Sequence, residues 1–243
     1  MSPILASNIT IGDHLTTSVF GFTVYIDDLG ACVLAGLIVI ALGLVLRAKA
    51  TSGVPGKLQL AFETVVGSAS RQIETTMGSK GLFIVPLACT LFVFILFCNW
   101  LEMIPTNLAN HHQLLVSPTS DINLPAAMAV TVIVLVHVTW VRLHGIRSYI
   151  GHYFKPYKVL FPINVIEELV KPVTLSLRLF GNLFASGILL TLIAALPAKW
   201  ILPVPALDFV WKLFAAFFVA PVQAFIFALL TVIYMESAVA GGH

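Results

Sequence analysis

Pro172-Val-Thr-Leu-Ser-Leu-Arg-Leu-Phe-Gly-Asn182 places a guanidinium, Arg178, in the middle of a mostly apolar stretch running from about Asn164 to Leu196. At about 1.5 Å per helical residue this stretch crosses the ~30 Å hydrocarbon core of a bilayer, and an unpaired charge near its centre costs about 2.5 kcal/mol or more. A cation kept at that depth points to a task. Arginine stays protonated at any working pH, so it cannot relay a proton. It can repel a cation, block a leak, or pair with a carboxylate that arrives and leaves. The ordinary alternatives are snorkelling to a headgroup or pairing with an internal acid such as Glu168. The mid-segment position of Arg178 argues against snorkelling.

Composition sets the surroundings. With 59% hydrophobic and 10% charged residues and a mean hydropathy of +1.00, the chain lies outside the range of soluble domains, whose charged fraction is about 25%. The thirteen Lys and Arg residues fall mainly in two loops and form no nucleic-acid face. Cys32, Cys89 and Cys98 lie in apolar runs, and Cys89 and Cys98, nine residues apart, fall on opposite faces of one helix. No basic segment leads into an apolar run at the N-terminus, so no cleaved signal peptide is expected.

The pattern predicts an all-α polytopic membrane protein of five or six helices, a single membrane domain over residues 1–243 with spans at about 30–46, 82–104, 124–141, 164–196 and 206–236. The last two are separated by a proline-containing turn near residues 196–205 and read as a long hairpin. Each arm is about 45 to 50 Å long, so the arms must tilt strongly, as helices lying along a curved partner such as a ring would. Arg47, Lys49, Lys57, Arg71 and Lys80 follow the first span and Arg142, Arg147, Lys155 and Lys158 follow the third, whereas residues 106–123 hold no Lys or Arg. The positive-inside rule then puts the N-terminus outside and the C-terminus inside. Thr51 to Lys80 reads as a short interfacial helix or a partner-binding loop.

With residue 201 as the middle of the turn, Arg178 lies 23 residues before it and Gln223 lies 22 after it. In an antiparallel pair they share nearly one depth. Asn182 is one helical turn from Arg178 on the same face, and Gly181, Ala185, Ser186 and Gly187 leave the backbone bare nearby. Ala215, Ala216 and Ala220 do the same around Gln223, a pattern that also serves ordinary helix packing. The acids sort by depth: Asp27, Asp28, Glu102, Asp121 and Asp208 on the outer side, Glu167, Glu168 and Glu236 on the inner side. Each taken alone reads as a solvated helix end or a local pair, such as Asp208 with Lys212. Together they suit two aqueous half-channels separated by Arg178.

These residues resemble subunit a of the F-type ATP synthase over nearly the whole chain. The resemblance rests on Pro172–Asn182, on Gln223-Ala-Phe-Ile-Phe, on Ala50-Thr-Ser-Gly-Val-Pro-Gly-Lys57 and on Cys98-Asn-Trp-Leu-Glu-Met-Ile-Pro105. It implies a stationary proton-channel subunit, not an enzyme by itself, in a bacterial cell membrane. Its implied partners are a rotor ring of c subunits, b-type peripheral stalk subunits and the remaining F1Fo subunits, with no cofactor or metal. It implies that Arg178 is the essential arginine facing the ring, with Asn182 beside it and Gln223 as its neighbour. Many relatives carry an acid or histidine where this chain has Gly187 and Ala216. The outer half-channel is therefore expected to use Asp27, Asn99, Glu102, Asp121 and Asp208, and the inner one Glu167, Glu168 and Glu236.

Two rival readings belong to other classes. An autonomous transporter would use Arg178 to hold an anion, but the chain shows no inverted repeats or paired broken helices. A redox subunit would bind haem through His137 and His144, seven residues apart. No HExxH, Walker or Ser/His/Asp pattern is present in the sequence.

Overall fold

The computed structural model describes residues 16–19, 22–51, 53–101, 122–154, 159, 161–194 and 203–240. A small antiparallel hairpin, β1 (Thr16–Val19) and β2 (Phe22–Tyr25), precedes the helices. Then come α1 (Ile26–Lys49), α2 (Lys57–Met77), α3 (Val85–Leu101), α4 (Asn123–His144), the short α5 (Ile146–His152), α6 (Phe161–Ala194), α7 (Pro203–Phe214) and α8 (Ala220–Ala240). Among the described residues, five helical runs are long and apolar enough to cross a membrane: Asp28–Lys49, Lys57–Leu101, Asn123–His144, Phe161–Leu189 and Phe209–Ala240. The chain is an all-α, multi-pass membrane protein, and among the described residues the hairpin and the short α5 are additions to the expected spans.

The segment Thr51 to Lys80, read as a short interfacial helix or a partner-binding loop, is mostly one helix. α2 has 21 residues, and a 3-10 turn, Gly78–Ile84, joins it to α3. The junction depends on two glycines. Gly78 ends α2 with φ at 66°, a conformation that side chains resist. At Gly81 a Cβ would stand 2.7 Å from the Met77 Cβ and 2.9 Å from the Ile73 Cγ2. Ile73 can therefore bury completely against the start of the membrane helix.

The main core joins Ile73, Ile84 and Ile95 with Val132, Leu175 and Phe227, and so ties α2, α3, α4, α6 and α8 together. α3 packs chiefly on α8, α4 on α6, and α1 on α3. The two long arms are as expected from the sequence, but each takes most of its support from a different helix. α6 leans on α4 while α8 leans on α3, and the arms meet directly where α6 touches α7 and α8. The second arm also contains a π-turn, Ala215–Val219, between α7 and α8.

Candidate functional site

Equal rise along two antiparallel helices brings Gln223 to the level of Arg178, as counting from the turn predicted. The Gln223 Nε2 donates a hydrogen bond to the Arg178 carbonyl oxygen at 2.8 Å. The contact is therefore made with the arginine's backbone rather than its guanidinium. Gln223 is only 4% exposed, so its amide is committed to this bond inside the protein. α6 is two-sided here. Leu175, Ser176 and Leu179 are buried, whereas Arg178, Gly181, Asn182 and Ala185 are exposed. A Cβ at Gly181 would meet nothing within 4 Å, so the face beside Arg178 is open there.

Among the described residues no carboxylate lies within ion-pair reach of Arg178. Glu168, the alternative partner, instead pairs with Lys171, and its Oε2 lies 3.9 Å from the His137 Nε2. Lys171 was not singled out in the sequence, although its place three residues from Glu168 was the available signal.

The inner acids come partly together. Glu167, Glu168, Lys171, His137, Asn164 and Ser237 line a cavity of about 270 Å³ where α4, α6 and α8 meet. Glu236, half-buried, is the neighbour of Ser237 on α8. Near this end the Tyr149 and Tyr153 hydroxyls are 2.9 Å apart. Burial, and then the bond to Tyr149, push the Tyr153 hydroxyl well above its usual range, so it acts only as a neutral donor or acceptor. His137 and His144 face different neighbours, Tyr149 and Trp140 respectively. Among the described residues no three His, Cys, Asp or Glu side chains gather as a metal site. Cys89 and Cys98 are both buried, in different clusters.

The outer candidates are less fully placed. Asn99 is buried in the last turn of α3. Glu102 and Asp121 lie outside the described residues. Asp27 stands in the first turn of α1 and Asp208 within α7, but their side chains are outside the description, and with them the Asp208–Lys212 pair.

Two tryptophans fix the arms on the turn side of Arg178: Trp100, quoted in the Cys98–Pro105 motif but given no role there, and Trp211, which the sequence reading did not mention. The Trp211 Nε1 donates to the Ser186 Oγ at 3.1 Å, joining α7 to α6. The Trp100 Nε1 donates to the Ala216 carbonyl at 3.0 Å, joining α3 to the π-turn. Ala216, Ala220 and Ala224 are buried, which lets α8 approach α3 closely.

A protein-family model described as ATP synthase A chain matches residues 29–236, which include the first long arm, nearly all of the second and the Arg178–Gln223 contact. The chain belongs to the ATP synthase A chain family. Within it, the chain is 47% identical over 242 residues to the ATP synthase subunit a of Acidothermus cellulolyticus, covering 99% of this chain and 87% of that one. It is 45% identical over 245 residues to that of Mycobacterium bovis, at 97% and 95% coverage. It is 38% identical over 205 residues to that of Moorella thermoacetica, at 84% and 87%. Membership of this family identifies a membrane subunit of an ATP synthase complex.

Proposed function

We propose that the chain is the stationary proton-channel subunit of a rotary ATP synthase, in which Arg178 couples ion passage to rotation of a ring of c subunits. One observation carries this reading. The Gln223 amide holds the Arg178 backbone, while the guanidinium stands on a bare, exposed helix face with no carboxylate in reach among the described residues. A permanent cation presented in this way supports a partner that brings the carboxylate.

A proton enters from outside past Asp121 and Glu102, with Asp27, Asn99 and Asp208 as further outer groups, and protonates a rotor carboxylate. The neutral acid tolerates lipid and is carried round the ring. Where it meets Arg178 the positive charge favours the ionised form, and the proton leaves past Glu167, Glu168 or Glu236. The arginine also blocks direct passage between the two half-channels. One charge crossing 100 mV is worth about 2.3 kcal/mol, so several protons per turn supply rotation. ATP chemistry takes place on the other F1Fo subunits, and b-type stalk subunits keep this chain stationary.

The chain is a single membrane domain in the cell membrane, with the N-terminus outside and the C-terminus inside. The end of α1, the start of α2 and the end of α4 carry Arg47, Lys49, Lys57 and Arg142, which supports that orientation. The test is ATP-driven proton pumping in inverted vesicles carrying Arg178→Ala, with complex assembly measured in parallel. Loss of pumping in an assembled complex is expected. Normal pumping would overturn the reading.

A further inference from the structure

The π-turn solves a problem of facing. Trp211 and Gln223 both bond to α6, yet they are twelve residues apart. At about 100° per residue an unbroken α-helix would set them about 120° apart, and only one could meet α6. A π-turn absorbs one extra residue, which leaves the two about 20° apart on one face. The turn therefore lets one arm hold α6 at two levels, with Arg178 at the inner one.

The same turn strands a carbonyl. The Ala220 N–H, the ordinary helical donor to Ala216, bonds instead to the Ala215 carbonyl. The next donor along the chain is absent because residue 221 is proline. Within its own helix the Ala216 oxygen has neither donor, and a buried carbonyl without a partner is costly. The Trp100 indole fills the place from α3, with its ring set edge-on to Phe97 at 5.7 Å.

We infer that Trp100 is a positioning residue for ion translocation: its N–H caps the π-turn that Pro221 leaves open, and so keeps Gln223 on the Arg178 backbone. This rests on the proposed role of Arg178. Trp100 touches neither the ion nor the guanidinium and acts through the backbone of the second arm.

The test is a double-mutant cycle in the intact ATP synthase, read as ATP-driven pumping per assembled complex. Trp100→Phe keeps an aromatic ring and removes the N–H. Pro221→Ala supplies a backbone N–H that satisfies the second arm locally. Trp100→Phe should slow pumping about fivefold in the native background and less than about twofold in the Pro221→Ala background. Equal factors in both backgrounds, or no effect in the native one, would overturn the inference, because a packing role of the ring is indifferent to Pro221. Where a variant lowers assembly or pumping too far to compare, hydrogen exchange over residues 215–224 of the complex gives the second readout. Trp100→Phe should speed exchange about tenfold only when Pro221 is present. Unchanged exchange would overturn the inference without touching the Arg178 reading, which Arg178→Ala tests separately.

Discussion

Replacing Gln223 with leucine removes one donor from a site where little else changes. The side chain is 4% exposed and its amide lies 2.8 Å from the Arg178 carbonyl. Leucine fills nearly the same volume, and the carbonyl keeps its own helical N–H, so the loss is one part-buried hydrogen bond, about 1 kcal/mol. If that bond sets the position of Arg178 in the rate-limiting encounter, pumping falls about fivefold. Gln223→Asn keeps the amide but shortens its reach by about 1.3 Å, beyond hydrogen-bond range, and should fall as far. The assay is the initial rate of ATP-driven acidification of inverted vesicles, normalised to assembled complex. Wild-type rates in Gln223→Leu would refute the reasoning. Full activity in Gln223→Asn alone would show that polarity, and not this bond, is what matters.

Other outcomes follow from the packing. Gly81→Ala places a Cβ 2.7 Å from the Met77 Cβ, so the α2–α3 junction must shift at a cost of about 1–3 kcal/mol. The amount of assembled complex should drop, and an unchanged amount at raised temperature would contradict the close packing. Lys171→Met leaves Glu168, whose side chain is 23% exposed, without its partner, at roughly 1–2 kcal/mol after screening. Glu168→Gln in the same chain should restore assembly to within about twofold, and two independent losses would argue against the pair.

Much of this architecture was legible in the sequence because lipid imposes simple rules. Arg178 and Gln223 could be matched by counting, since antiparallel helices rise equally from a shared turn. The apolar spans declared themselves by length, with ends displaced by a few residues, as for the last arm read at 206–236 and found at Pro203–Ala240. What stayed hidden were contacts between distant segments. Trp100 and Ala216 lie 116 residues apart, and no local periodicity links them. The signal for the π-turn was Pro221, set within an otherwise helical run two residues before Gln223. α2 was underestimated because Gly67, Ser68, Ala69 and Ser70 interrupt its apolar pattern. Its second half is held by burial of Ile73 against the glycine turn, which sequence alone does not reveal.

The central claim is that the bare face of α6 meets a rotor carboxylate. The most direct measurement is cysteine cross-linking in the intact complex, pairing Gly181→Cys with a cysteine placed beside the membrane carboxyl of a c subunit. Gly181 shares the exposed face with Arg178, and a Cβ there meets nothing within 4 Å. Leu175→Cys, on the buried face, is the control. The account predicts a rapid disulfide from position 181 and none from 175, with pumping blocked until the bond is reduced. Failure of position 181 to cross-link to any position around that carboxyl, in a complex that still pumps, would contradict it.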